Sequence, residues 1–270
     1  MSDTPPVRDT HRARKRFGQN FLHDEGVIDR ILRAVHPTPG QHLVEIGPGQ
    51  AALTGPLLAS GCRLDAIELD RDLAADLRQR YAGEPRFRLI EADALRVQLA
   101  TLAPTGQLRV VGNLPYNIST PLLFHLFAQR ALITDMHFML QKEVVERMAA
   151  GPGTKAYGRL SVMTQFYCDI EHLFGVPPGA FRPAPKVHSA VVRLTPRRAA
   201  PPCDPAQLGR VVTAAFAQRR KTLRNTLKAI ADETLLAGLD IDPGARAETL
   251  ALADFIAITN RITQVSDTTP

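Results

Sequence analysis

VVGNLPYNISTP, residues 110–121, runs an apolar segment into an Asn, a Pro and a Tyr, then opens a helix at Ser119. LRVVGN (108–113) reads as a buried strand, and Leu122, Leu123, Leu126 and Phe127 mark the apolar side of the helix after it. A strand feeding a helix is one unit of an alternating chain, and the flanking sequence repeats it. HLVEI (42–46), RLDAIELD (63–70), RFRLIEAD (86–93) and MHFMLQ (136–141) are strand-like. Asp24 can cap a helix with Val27, Ile28, Ile31, Leu32 and Val35 on one face, stopped by Pro37 and Gly40. GPGQAALTGPLLAS (47–60) turns into a helix, and Leu73 to Tyr81 and KEVVERMAA (142–150) are helical. Strands separated by helices predict an α/β fold, a mostly parallel Rossmann-like sheet with helices on both faces. EHLFGV (171–176) and KVHSAVVRLTP (186–196), joined by a Pro-rich loop, predict an antiparallel edge hairpin.

TPRRAAPPCDP (195–205) is rich in breakers, and only helical patterns follow Ala206. The expected division is a catalytic domain over 1–196 with a disordered tail at 1–13, a linker at 197–205, and a small helical domain over 206–270. No run of about 18 apolar residues occurs, so no membrane span is expected. MSDTPPVRDT, at the N-terminus, is polar and contains acids, unlike a signal peptide. Cys62, Cys168 and Cys203 lie far apart, which fits a reducing compartment and no zinc site. These features predict a cytoplasmic protein without a metal, and a monomer. A net charge of +6 favours a polyanionic partner. The charge is clustered in HRARKR (11–16) and AQRRKTLRNTLK (217–228), although 27 Arg against 6 Lys also fits compositional bias.

VEIGPGQAAL (44–53) places Gly47, Gly49 and Ala52 between a strand and a helix, and Glu68 ends the next strand. That pattern suits a dinucleotide, and it equally suits S-adenosylmethionine, which also needs close backbone approach and a carboxylate for its ribose. Glu45 tilts the choice, since a carboxylate there would repel a pyrophosphate and attract a cationic cofactor. Asp93, at the end of the third strand, can accept from an adenine amino group while Ala94 offers its N–H.

NLPY (113–116) lies at the same sheet edge. Pro115 biases Leu114 to an extended shape, which aims the Leu114 carbonyl outward. The amide oxygen of Asn113 and that carbonyl make two acceptors beside the aromatic face of Tyr116. An exocyclic base amine needs this set: both hydrogens held, its lone pair directed at a methyl donor, and the extruded base stacked.

The chain resembles the ribosomal RNA adenine N6,N6-dimethyltransferases, most closely the small-subunit type. The stretches that carry the resemblance include KRFGQNFL (15–22), VEIGPGQAALTGPLL (44–58), VGNLPYNISTPLL (111–123), YGRLSV (157–162), FRPAPKVHSAVVRL (181–194) and FAQRRKTLRNTL (216–227). The resemblance implies a class I methyltransferase sheet with a C-terminal helical domain. It implies S-adenosylmethionine as cofactor, and small-subunit rRNA within an immature 30S subunit as partner. By position it implies that Asn20 and Leu22 close over the cofactor, Gly47 approaches its methionine part, Glu68 holds the ribose and Asp93 the adenine. Asn113 would touch cofactor and target amine, and Phe181 would be a second stacking face opposite Tyr116. Arg220, Lys221, Arg224 and Lys228, read as one helical face with Arg210, would meet phosphates. The loop AAGPGTKAYG (149–158) reads equally as an RNA lid or a connection. Rival readings are a large-subunit resistance-type methyltransferase, an assembly factor with secondary catalysis, and an NAD-dependent oxidoreductase.

Overall fold

A computed structural model describes residues 19–103, 106–199 and 201–267. The tail 1–13, the HRARKR cluster and Phe17 lie outside the described residues. The strands are β1 (Phe21–Leu22), β2 (His42–Ile46), β3 (Arg63–Glu68), β4 (Phe87–Glu91), β5 (Leu108–Asn113), β6 (Ile133–Gln141), β7 (Cys168–Val176), β8 (Phe181–Arg182) and β9 (Ser189–Pro196). Seven of them form one sheet in the order β4-β3-β2-β5-β6-β9-β7. The pairs from β4 through β6 are parallel, while β9 runs antiparallel to β6 and β7 lies beside it at the edge. This is the mostly parallel sheet with an antiparallel edge that the alternation implied. The chain order reverses between β2 and β5, and open α/β sheets bind ligands at the strand ends beside such a switch point. β1 and β8 form a separate antiparallel pair that the sequence reading did not contain.

The helices of the first half are α1 (Glu25–Val35), α2 (Thr54–Ala59), α3 (Arg71–Arg80) and α4 (Ser119–Ala128). Asp24 caps α1 by accepting from the Val27 N–H at 3.0 Å. Val27, Ile31 and Val35 of α1 pack with Leu43, Val111 and Val191 of the sheet in one buried cluster. α2 is shorter than expected. Gly47, Gly49 and Ala51 take φ of +68, +56 and +67, conformations that end any helix, so residues 47–53 form a loop instead.

The remaining helices are α5 (Lys142–Ala149), α6 (Arg159–Tyr167), α7 (Pro205–Ala215), α8 (Leu223–Thr226), α9 (Glu233–Ala237) and α10 (Leu252–Asp267). α6 escaped the sequence reading because Leu160, Ser161, Val162, Met163, Thr164 and Phe166 are all buried. A helix covered on every side has no apolar stripe to betray its period. The chain divides into two compact units: 1–145 with 171–196, and 146–170 with 197–270. The expected first domain of 1–196 therefore contains an excursion, 146–170, that groups with the C-terminal helices.

Within that second unit α6, α7 and α10 pack together. The Tyr157 hydroxyl donates to the Leu250 carbonyl at 2.9 Å, and its ring meets Phe216, which in turn meets Phe255. The loop at 149–158 is tied down here: the Gly153 N–H donates to the Glu248 carbonyl at 2.7 Å, and Arg219 bridges the Lys155 carbonyl and the Glu248 carboxylate. The expected helical face at 219–221 is corrected. Residues 216–222 are a turn between α7 and α8, closed by the Lys221 N–H on the Gln218 carbonyl. Residues 217–221 are all exposed, so a helix there would have no face to bury, and packing is what sustains most short helices. Arg220, Lys221, Arg224 and Lys228 are nonetheless all exposed, with Arg224 paired to Glu233 at 3.3 Å.

Candidate active site

A cavity of about 310 Å³ opens at the C-terminal ends of β2, β3 and β5, beside the switch point. Its floor is the glycine loop. Gly47 and Gly49 hold left-handed φ angles, and a Cβ on Gly49 would lie 3.2 Å from the ring of Phe21. Asn20, Gly47, Glu68, Asp93, Asn113, Leu114 and Tyr116, all singled out from the sequence, line this one space.

Glu68, at the end of β3, is 6 % exposed. Its Oε2 accepts from the Gly49 N–H at 3.1 Å and its Oε1 from the Asp70 N–H at 2.8 Å. Burial pushes its carboxyl up from the usual range, and the two N–H groups oppose that only in part. Asp93 caps a short 3₁₀ turn through Oδ1, which accepts from the Leu95 N–H at 3.0 Å, while the carboxyl borders the cavity.

The residues before β1 form a strap along the cavity. Gln19 Nε2 donates to Asp70 Oδ2 at 3.1 Å, and the Asn20 carbonyl accepts from Asn113 Nδ2 at 3.0 Å. Donation by Nδ2 leaves Oδ1 of Asn113 as the acceptor of that amide. Next to it, the Leu114 N–H donates to the Met139 carbonyl at 3.2 Å, and among the described residues no donor reaches the Leu114 carbonyl. Two acceptors thus sit side by side at the end of β5. The Tyr116 hydroxyl shares a 2.7 Å hydrogen bond with Ser189 Oγ at the start of β9. Burial raises its phenol above the ordinary value, so the ring stays neutral at physiological pH.

Two expected members do not line this cavity. Leu22 is 5 % exposed and packs in the core with α1, because successive residues of β1 face opposite ways and Phe21 takes the cavity side; it borders instead a small space beside Glu45, Gly47, Gly49 and Asn113. Phe181 is 2 % exposed and belongs to the same core cluster, paired across the β1–β8 ladder with Leu22. It presents no open ring opposite Tyr116. The reading of Glu45 is also corrected. Its carboxyl is 2 % exposed, and burial, reinforced by the Glu68 charge against a 2.7 Å hydrogen bond from Thr54, pushes it up to about 8. It is no standing negative charge at neutral pH. The lining supplies a better discriminant: Glu68, Asp70 and Asp93 border the cavity, and among the described residues no Lys or Arg does. Among the described residues a pyrophosphate would find acids and no counter-charge there.

Sequence reasoning missed Gln19, Phe21 and Ser189. Phe21 was given no part in the site. The alternation of Asn20, Phe21 and Leu22 was the available signal, and it required knowing that the segment is a strand.

The family model for ribosomal RNA adenine dimethylase matches residues 10–264. The chain belongs to that family. It is a methyltransferase that acts on adenines of ribosomal RNA. A curated relative from Pseudomonas aeruginosa, ribosomal RNA small subunit methyltransferase A, is 59% identical over 259 residues, 94% of this chain and 96% of the relative. One of the same description from Methylococcus capsulatus is 59% identical over 253 residues, 93% of this chain and 98% of the relative. Among solved structures, a dimethyladenosine transferase from Plasmodium falciparum superposes with a TM-score of 0.80 at 24% identity, covering 91% of this chain and 98% of that one. The 23S rRNA methyltransferase ErmE gives 0.69 at 25% identity, covering 91% of this chain and 100% of that one.

Among the described residues no group of His, Cys, Asp and Glu could hold a metal ion, and no helix is long and apolar enough to cross a membrane.

The family's chemistry makes the Tyr116 ring testable. Stacking of a base on an aromatic ring is worth about 1–3 kcal/mol. Tyr116→Ala is expected to lower kcat/KM for RNA by roughly ten- to a hundredfold. Tyr116→Phe keeps the ring, loses only the bond to Ser189, and is expected to stay within about threefold. Steady-state methyl transfer on both variants checks this, and equal losses would remove the ring from base capture.

Proposed function

We propose that this chain transfers methyl groups from S-adenosylmethionine to N6 of two adjacent adenosines near the 3′ end of small-subunit rRNA, as a cytoplasmic monomer acting on immature small subunits. The observation that carries the reading is the pair of acceptors, Asn113 Oδ1 and the Leu114 carbonyl, set beside Tyr116 at the mouth of an acid-lined cavity. The small-subunit substrate is favoured over the large-subunit rival by 59% identity to relatives of the first kind against 25% to ErmE.

The residues present fit the cofactor. The glycine loop turns bare backbone to the cavity, a Cβ on Gly49 would press on Phe21 at 3.2 Å, and three acids, Glu68, Asp70 and Asp93, stand in a largely apolar lining. Glu68 would accept from the ribose hydroxyls, exchanging its backbone N–H partners in part. Asp93 would accept from the adenine amino group through the oxygen that its cap leaves over. When bound, S-adenosylmethionine supplies a methyl on a sulfonium whose leaving group is a neutral thioether. The two acceptors at 113 and 114 hold both hydrogens of the target N6 in the first transfer and the single remaining one in the second. That withdraws its lone pair from conjugation with the ring and directs it at the methyl. After each transfer the strongly acidic methylated nitrogen loses one proton to solvent. Tyr116 holds the extruded base in the required plane. No strong base is called for; orientation and fixed dipoles carry the step. Arg220, Lys221, Arg224 and Lys228 supply exposed cations for the RNA backbone, outside the catalytic cavity.

The test is transfer of isotope-labelled methyl to unmethylated small subunits, with the modified nucleoside mapped. N6,N6-dimethyladenosine at two neighbouring positions of small-subunit rRNA is the expected product. Label confined to large-subunit rRNA would overturn the assignment.

A further inference from the structure

Glu45 sits at the end of β2, behind the glycine loop, and the proposed mechanism gives it no task. Its carboxyl is almost wholly buried, with Oε2 accepting from the Thr54 hydroxyl at 2.7 Å. Among the described residues no hydrogen bond reaches Oε1. A space of about 30 Å³ adjoins it, bordered by Glu45, Gly47, Gly49 and Asn113 and by apolar side chains such as Phe21 and Leu22, room for a group the size of one water or one ammonium. Phe21, Gly47, Gly49 and Asn113 border both this space and the cofactor cavity, so the two lie on either side of the same few residues.

We propose that Glu45 is a proton-linked positioning residue for the cofactor: its carboxyl holds a proton in the empty protein and releases it to solvent when the cationic end of the methyl donor comes to lie against the small space beside it. The proposal rests on S-adenosylmethionine being the cofactor, as argued above. Its physical basis is charge balance. A buried carboxylate without a counter-charge is costly, so the empty site keeps the group neutral. A cation arriving within a few ångströms reverses the preference.

The groups around Glu45 support this. Thr54 on α2 is an uncharged donor. Glu68 on β3 is a like charge that raises the carboxyl further. Tyr81, at the end of α3, and Cys62, before β3, couple to it electrostatically and are themselves pushed up by burial, hence neutral. The facing positions on the adjoining strands are Ala66 and Val111, which carry no charge. Among the described residues no cation stands by to ionise the group, and with the carboxyl held up to about 8 it carries its proton at pH 7.

The sign follows from linkage. Below about pH 8 the empty protein must lose a proton to bind, so affinity rises with pH and levels off above that point. Calorimetric titration of the whole chain with S-adenosylmethionine at pH 7, in two buffers of different ionisation heat, is expected to show about one proton released per cofactor bound. Between pH 6 and 8 the Kd should fall by up to about tenfold per pH unit. Glu45→Gln, which keeps an acceptor for Thr54, should bind without proton release and with a flat pH profile. Its melting curve verifies folding, and the wild-type titration stands by itself if that variant fails to fold. Binding by the wild type with no proton exchanged, or the same release from Glu45→Gln, would overturn the proposal and leave the cofactor assignment intact. Absence of binding at every pH would remove the cofactor assignment, and this inference with it.

Discussion

Asn113→Ala is expected to lower kcat for methyl transfer by about 10²–10³-fold, the loss typical of removing one preorganised polar group from a reacting centre. The side chain has two tasks, and its geometry separates them. Nδ2 is fixed on the Asn20 carbonyl of the strap at 3.0 Å, which orients the amide. Oδ1 is left to hold one hydrogen of the target amine. Alanine removes both, so cofactor affinity is expected to fall as well, by only a few-fold, since one neutral hydrogen bond contributes about 1 kcal/mol. The side chain is only half-buried at a strand end, and the melting midpoint should move little. Single-turnover transfer measured with both substrates saturating isolates the chemical step. Undiminished transfer there would exclude the amide from the reaction.

Gly112→Ala should act on the fold itself. In the ladder Gly112 faces Ile46, and a Cβ built on it would lie 2.6 Å from the Ile46 carbonyl oxygen and 3.0 Å from Leu114 Cδ2. The first is backbone at the centre of the sheet and cannot swing aside. Either β2 and β5 part or the ladder shifts, and both disturb buried packing. A loss of about 3 kcal/mol is expected, the upper range for overfilling a packed core. For a chain of this size that is a fall of roughly 6–12 °C in the melting midpoint. Because Asn113 follows directly, transfer should fall even at temperatures where the variant remains folded. A melting midpoint equal to that of the unaltered chain would show that the strands can separate at no cost.

The parallel sheet was legible because each strand is a short apolar run between turn residues and each early helix has one buried stripe. The same logic explains what was not. α6 is buried on all sides and carries no stripe. β1 and β8 are two residues each, too short for any period, yet they bring Asn20 to Asn113. The RRK run reads as part of a helical face with Arg210, but residues 217–221 are all exposed and form a turn. At the site, residues whose chemistry depends on position along the sheet edge, Glu68, Asp93, Asn113 and Tyr116, came together as their strand ends implied. Phe181 and Leu22 did not, because the face a strand residue takes depends on its partner strand. Glu45 was legible as an acid, but its protonation follows from burial and from the nearby Glu68 charge, which no single-sequence pattern expresses.

The β1–β8 pairing joins Phe21 to Arg182. During synthesis the first of these emerges early and must wait, unpaired, until most of the chain has left the exit tunnel. The donor pocket is therefore among the last parts of its unit to be finished, with only β9 still to follow. A chain cut short before β8 would carry Glu68, Asp93 and Asn113 without the ladder that seats the strap across them.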